Sequence, residues 1–287
     1  MNEQLIFGVM TDCQYADADD TSGIVAGSKH HFNDNRFRLA PHKLQEAVAT
    51  FNSHELDFVI HLGDFVDRHL SDVDVVSKIT DALKAPLIHV LGNHDFMGSE
   101  GRASEVVAKF GLEKSYYSQT VKGYRLIVLD TNELGVIKYE EGTHEWQQGR
   151  QKIDELKAAD ARQAYDWNGG IGELQLDWLR NELQNAGQQN QKAILFSHHP
   201  VFPPNPLNAL DDKEVLTVID QYADVVVAYV NGHNHVGAYG ERNGKPYITV
   251  PGMLQGETNS FGIVTVNDSH ILIDGYSRMI DMSIERR

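Results

Sequence analysis

The feature that most constrains this 287-residue chain is a series of six short apolar runs. They are LIFGVM (5–10), FVIHL (58–62), LIHVL (87–91), RLIVLD (125–130), KAILF (192–196) and VVVAYV (225–230). Each is rich in Val, Ile and Leu, is apolar on both faces and is bounded by turn residues, which predicts strands buried on both sides. Helical patterns lie between them. Residues 40–52 carry Pro41 near their start, and 71–85 begin at Ser71 as a candidate cap. Residues 172–187 place Leu174, Trp178, Leu179 and Leu183 on one face and end at Gly187. Strands alternating with helices predict an α/β layered fold. From about residue 236 the runs become short and β-like with Gly and Asn turns, so the later part of the sheet is expected to be mixed or antiparallel.

The residues at the end of each run carry more information than the runs themselves. The first leads into Thr11-Asp12-Cys13-Gln14, the second into Gly63-Asp64-Phe65-Val66-Asp67-Arg68, and the third into Gly92-Asn93-His94-Asp95. The fifth leads into Ser197-His198-His199-Pro200 and the sixth into Asn231-Gly232-His233-Asn234-His235. Ligand sites of open α/β sheets lie beyond the carboxyl ends of the strands, so five strand ends deliver Asp, Asn, Gln and His to one edge. Any one of these motifs is as well explained by a cap or an Asx turn. Five in succession are not. The glycines at 63, 92 and 232 are expected to let the backbone turn and bring the next side chain inward.

Composition narrows the chemistry. A formal charge of -16 argues against a nucleic-acid binder, since phosphate backbones are held by basic surfaces. It leaves a small anionic substrate open, because bound divalent ions reverse the potential locally. No apolar run approaches the roughly 18–20 residues of a bilayer span. The amino terminus has no basic n-region, and Cys13 is the single cysteine, so a cytoplasmic chain without disulfides or membrane partner is expected. Carboxylates, carboxamides and imidazoles together suit Mn, Fe or Zn.

The order D-x-[HQ], G-D-x-x-D-R, G-N-H-D, a single His and G-H-x-H, from about residue 5 to residue 235, resembles the calcineurin-like metallophosphoesterase superfamily. That resemblance implies a single domain folded as a four-layer αββα sandwich of two mixed sheets flanked by helices, with two metals at the sheet edge. It implies Asp12, Gln14, Asp64 and His235 as ligands of one metal, with Asp64 bridging to a second held by Asn93, His198 and His233. It further implies His94 as the catalytic acid or phosphate-binding residue and Asp67 as the carboxylate that orients it. Asp95 caps or orients. His61 and His89, inside apolar runs, are read as satisfied core residues, and His30, His31, His42, His54, His144 and His270 as exposed. Cys13 is read as packing, pointing away from its neighbours in an extended segment.

Gln14 departs from the usual D-x-H. A neutral carboxamide oxygen is a weaker, harder ligand than imidazole, favouring Mn or Mg over tight Zn. D-x-Q is similar to the manganese-dependent ADP-ribose/CDP-alcohol diphosphatase branch, as are Arg36-Phe37-Arg38 to Lys43-Leu44 and Asn168-Gly169-Gly170-Ile171. The branch implies hydrolysis of the phosphoanhydride in a nucleotide-linked small molecule with two divalent ions, Mn foremost and Fe, Zn or Mg as alternatives. A cyclic-nucleotide or general phosphodiesterase or phosphomonoesterase with the same metal site is the alternative, and a catalytically dead scaffold is disfavoured because every motif is filled. Arg36, Phe37, Arg68 and His199 are candidate substrate contacts. An insert at about 133–170, rich in aromatics (Tyr139, Trp146, Tyr165 and Trp167) and expected to be helical over 147–165, is a candidate lid.

Overall fold

A computed structural model describes residues 3–24, 32–99 and 101–286. His30 and His31 lie outside the described residues. Two six-stranded mixed sheets form the centre. The first contains β1 (Leu5–Met10), β4 (Phe58–Leu62), β5 (Leu87–Val90), β12 (Ser260–Val266), β13 (His270–Ser277) and β14 (Met282–Glu285), in the order β14-β13-β12-β1-β4-β5. The second contains β6 (Tyr117–Val121), β7 (Tyr124–Val128), β8 (Lys192–Phe196), β9 (Val226–Asn231), β10 (Ala238–Arg242) and β11 (Lys245–Thr249), in the order β10-β11-β9-β8-β7-β6. A hairpin of β2 (Thr21–Ile24) and β3 (Phe32–Asn35) stands apart. All six apolar runs are strands. The carboxyl-terminal third adds antiparallel strands to the first sheet, as its turn-rich pattern predicted.

The sheets pack face to face. Phe7, Val9, Phe58, Ile60 and Val90 of one meet Tyr124, Leu126, Phe196, Ala228 and Val230 of the other in a single buried cluster. Phe7 stacks on Phe58 at 4.8 Å and meets Phe196 edge-on at 5.8 Å, a geometry that aromatic quadrupoles favour. On the outer face of the first sheet, α1 (Ala40–Phe51), α2 (Val73–Thr80), α3 (Asn93–Met97) and α4 (Ala103–Lys109) bury Leu44, Phe51, Val76, Phe96 and Val106. On the outer face of the second, α6 (Glu173–Gln188) and α7 (Asp212–Gln221) bury Leu176, Leu179, Leu183, Val215 and Ile219. Helix, sheet, sheet, helix: this is the four-layer sandwich. Strands buried between layers have no solvent face, which is why their sequences do not alternate.

Three helix readings need correction. The second helix spans Val73–Thr80, preceded by a 3₁₀ turn that contains Ser71, so Ser71 does not cap it. It ends at Thr80 with Asp81 as its C-cap, and Pro86 separately disfavours helical backbone at Ala85. On α6, Leu174 is 80% exposed, the buried stripe includes Gln175 instead, and the helix runs one residue past Gly187. Gln175 holds that place because its carboxamide accepts from Asp130 N and donates to Asp130 O. The insert's helix, α5, covers His144–Ala158 rather than 147–165, with the Thr143 hydroxyl accepting from Trp146 N.

Candidate metal centre

β1, β4 and β5 run parallel in one sheet, and β8 and β9 run parallel in the other. The loops after these strands therefore meet at one edge. Asp12, Gln14, Asp64 and His233 all adopt left-handed backbone, with φ of 50°, 44°, 57° and 65°. Such angles in non-glycine residues cost energy and mark sites where the surroundings over-determine the chain. Of the glycines at 63, 92 and 232, only Gly63 turns left-handed, at φ 97°. At Gly92 the requirement is space, since a Cβ there would stand 2.1 Å from Asp64 Oδ1.

Asp95 assembles two of these loops. Its carboxylate is buried, Oδ1 accepting from Phe65 N (2.8 Å) and Val66 N (3.2 Å), Oδ2 from Gly92 N (2.8 Å) and Asp64 N (3.0 Å). It therefore both caps α3 and orients the Asp64 loop. Lys43, which in the sequence is only one position of a longer motif, is buried on the other side. Its ammonium donates to the carbonyls of Met253 (2.8 Å) and Gly256 (2.6 Å), fixing a loop whose Gly252 packs against Asp12 and His235.

The seven candidate ligands form two adjoining groups. In the first, His235 Nε2 lies 3.3 Å from Asp12 Oδ1, and Gln14 Nε2 lies 3.3 Å from Asp64 Oδ2. Asp12 Oδ1 and Gln14 Oε1 are buried without a hydrogen-bond partner. Burial alone would raise the Asp12 carboxyl, but His235, His198 and Thr11 hold it down to about 2. In the second group, His198 Nε2 lies 3.0 Å from Asn93 Oδ1, 3.3 Å from Asp64 Oδ2 and 3.2 Å from His233 Nδ1. Ligand atoms of Asp64, His198 and His233 fall within 4.8 Å of one another.

The donor set fits a cation. His198 Nδ1 faces the Leu62 carbonyl at 2.8 Å, so that nitrogen carries the proton and Nε2 presents its lone pair inward. His233 Nε2 faces a carboxamide oxygen at 3.0 Å, so its Nδ1 does the same. Two imidazole lone pairs, a carboxylate and a carboxamide converging at about 3 Å repel one another unless positive charge lies between them. Burial lowers His198, yet Asp64 and Asp12 hold it up to about 9: without an ion the ring takes up a proton, which supplies the positive charge that a cation among these groups would provide. Burial and the neighbouring imidazoles push His233 far down, keeping it neutral.

His94 stands beside this centre. Its Nδ1 is 2.8 Å from Asp67 Oδ1, leaving Nε2 unengaged by that pair. Burial would lower it, but the charges of Asp64 and Asp67 hold it up to about 9. Asp67 Oδ2 also accepts from Arg68 Nε at 3.2 Å, and the Arg68 guanidinium lies 5.5 Å from the Phe37 ring. The structure thus gathers Asp67, Arg68 and Phe37 on the His94 side, although Phe37 itself is buried. Arg36 is tied to Asp34 (2.7 Å) and Glu257 (2.9 Å). His199 is fully buried, its Nδ1 2.8 Å from Thr131 Oγ1 and its ring against His233 at 4.2 Å, so it supports a ligand rather than lining an open wall.

The remaining histidines separate by environment. His61 is buried and His89 half-buried; His61 Nδ1 accepts from Gly63 N, but His61 Nε2 and His89 Nδ1 have no partner, so neither is a fully satisfied core residue. His42, His54 and His144 are exposed, whereas His270 is half-buried. Cys13 packs among Met10, Phe65 and Leu91, and burial pushes its thiol up to about 12. The insert's aromatics do not form one wall: Tyr165 and Trp167 stack on each other at 4.4 Å, while Tyr139 packs on the Lys138 ammonium.

Two six-stranded sheets with strand-end carboxylates, carboxamides and imidazoles gathered at one edge are the architecture of a metal-dependent phosphoesterase. A model of the calcineurin-like phosphoesterase family matches residues 7–237, and the chain belongs to that family. Over 97% of its length it is 29% identical to the manganese-dependent ADP-ribose/CDP-alcohol diphosphatase of Arabidopsis thaliana, spanning 96% of that protein. It is 23% identical to the human protein of the same name, covering 96% of this chain and 91% of that one. The fold also matches the crystal structure of a dimetal phosphatase from Danio rerio, with a TM-score of 0.86 and 22% identity over 99% of both chains. Among the described residues no helix is long and apolar enough to cross a membrane.

Proposed function

We propose that the protein hydrolyses the phosphoanhydride of nucleoside diphosphate-linked small molecules, ADP-ribose and CDP-alcohols among them, with two divalent ions, manganese foremost. The observation that carries this is end-to-end similarity to diphosphatases of that name, in a chain with a carboxamide, Gln14, in its first ligand group. Asp12, Gln14, Asp64 and His235 would hold one ion, and Asp64, Asn93, His198 and His233 the other. When bound, such ions lower the pKa of a water molecule and neutralise phosphate charge.

The chain's own residues then divide the work. Two carboxylates among seven ligands leave a site holding two divalent ions net positive, which favours a phosphate despite the acidic surface. Asp67 holds His94 by Nδ1, and the proton on Nε2 is the one His94 would offer a substrate. That proton passes to the departing phosphate oxygen as the bridging P–O bond breaks and the oxygen of water takes its place. The products are a nucleoside monophosphate and a phosphomonoester. Arg68, paired with Asp67 and half exposed, would meet a phosphate oxygen on the same side.

The test compares ADP-ribose, CDP-choline, cyclic AMP and an aryl phosphate with Mn, Mg, Zn and a chelator. Turnover of the two diphosphates with Mn, abolished by chelator, is expected. Efficient turnover of the aryl phosphate alone defeats the diphosphatase reading, and turnover of cyclic AMP alone establishes the phosphodiesterase alternative.

A further inference from the structure

The inserted segment reaches the metal centre through a residue whose chemistry its sequence position does not suggest. Asn168 is buried, and its Nδ2 donates to two backbone carbonyls, Gln163 O at 2.9 Å and Pro206 O at 2.7 Å. Carbonyls only accept, so the orientation of this carboxamide is settled and Oδ1 must be the atom that faces His233 Nε2 at 3.0 Å. An oxygen there requires a proton on Nε2. His233 Nδ1 is therefore the bare nitrogen, and it is the one that faces His198 Nε2 in the cleft.

The surroundings make Asn168 rigid. Leu210 N donates to Gly169 O, Leu134 N donates to Gly170 O, and the Asp211 carboxylate accepts from Ile171 N at 2.9 Å. His199, the ring packed against His233, accepts from Gly169 N at 3.3 Å and is held by Thr131 from the other side. The segment thus grips His233 at one nitrogen and along one face.

We propose that Asn168 is a positioning residue of the metal centre, its side-chain oxygen fixing the tautomer and ring orientation of His233 so that Nδ1 is presented to the ion. This rests on the metal-centre reading of the site. On it, residues 163–170 are the outer wall of a ligand rather than a detachable cover. Carboxylate or carbonyl partners of ligating imidazoles raise ligand basicity, and their loss typically weakens metal binding about 10–100-fold.

Three measurements on the full chain test it. In metal-free wild type, a ¹⁵N–¹H correlation of the histidine rings, with His233 assigned by its loss in His233→Ala, is expected to show the proton on Nε2. A proton on Nδ1 overturns the proposal whatever the variants do. Mn titration followed by electron paramagnetic resonance is expected to show one ion weakened about 10–100-fold in Asn168→Ala. Asn168→Asp, which keeps an oxygen toward His233 but loses the Nδ2 donors, retains most of the affinity; equal loss in Asp and Ala would mean that the loop bonds alone matter. In a His233→Ala background, Asn168→Ala causes no further loss, and additive losses overturn the proposal. Wild type that binds no Mn refutes the metal-centre reading itself; wild type that binds Mn, with Asn168→Ala unchanged, refutes only this inference.

Discussion

Replacing Asp95 isolates the framework of the site from its ligands. The carboxylate accepts four backbone N–H groups, from Asp64, Phe65, Val66 and Gly92, all within 3.2 Å and all buried with it. Asp95→Ala strands four donors. A buried donor left without a partner costs about 1–3 kcal/mol, so even the lowest figure for each gives a loss of roughly 4 kcal/mol. Domains of ordinary stability have only about 5–15 kcal/mol in total. Asp95→Asn keeps an oxygen for Phe65 and Val66 but turns an amide toward the N–H groups of Gly92 and Asp64. It loses two bonds, and roughly 2–3 kcal/mol is expected. Urea unfolding at unchanged m-value measures both losses. A loss below about 1 kcal/mol for Asp95→Ala would refute the reasoning, because it would mean that these donors find other partners or were never bound.

The same geometry has other consequences. His94→Ala is expected to keep bound metal and lose about 10²–10⁴-fold in kcat, the usual worth of a positioned acid; calorimetric metal titration beside steady-state kinetics checks both halves. Lys43→Met removes the ammonium that binds the Met253 and Gly256 carbonyls, and a loss of about 2–4 kcal/mol in urea unfolding is expected. Burial between Phe65 and Phe110 depresses His89 from 6.5 to about 4. The unfolded chain therefore takes up a proton below pH 6.5 that the folded chain refuses until pH 4. Stability from this group is complete above pH 6.5 and falls by roughly 3 kcal/mol toward pH 4, and His89→Phe should flatten that limb of the pH–stability curve.

Much of this site was legible in the sequence, for a physical reason. Strands enclosed between layers must be apolar on both faces, so FVIHL or KAILF announces its own position, and the polar residues next in the chain must leave the sheet at its edge. Local chemistry also showed in Pro41 and in the unusual Gln14. The unreadable parts depend on contacts distant in sequence. Asn168 reaches His233 across 65 positions, and Lys43 reaches Met253 across 210, so neither spacing carries a signal. Gln175 and Leu174 exchanged their expected places because a buried carboxamide with two backbone partners at Asp130 outweighs helical hydrophobic spacing. Asp95 lies two residues after a candidate ligand and His199 directly after one. In each case the bonds of the folded chain, four backbone N–H groups for Asp95 and Thr131 for His199, decide what the residue supports.

The central claim is that Asp12, Gln14, Asp64, Asn93, His198, His233 and His235 hold the ions on which turnover depends. Equilibrium dialysis against Mn, with bound metal counted and ADP-ribose hydrolysis measured in the same samples, tests it most directly. The account predicts two ions per chain at saturation and turnover that rises with occupancy and vanishes with chelator. Turnover that persists in a metal-free chain, or a chain that binds no ion even at high free Mn, would contradict it.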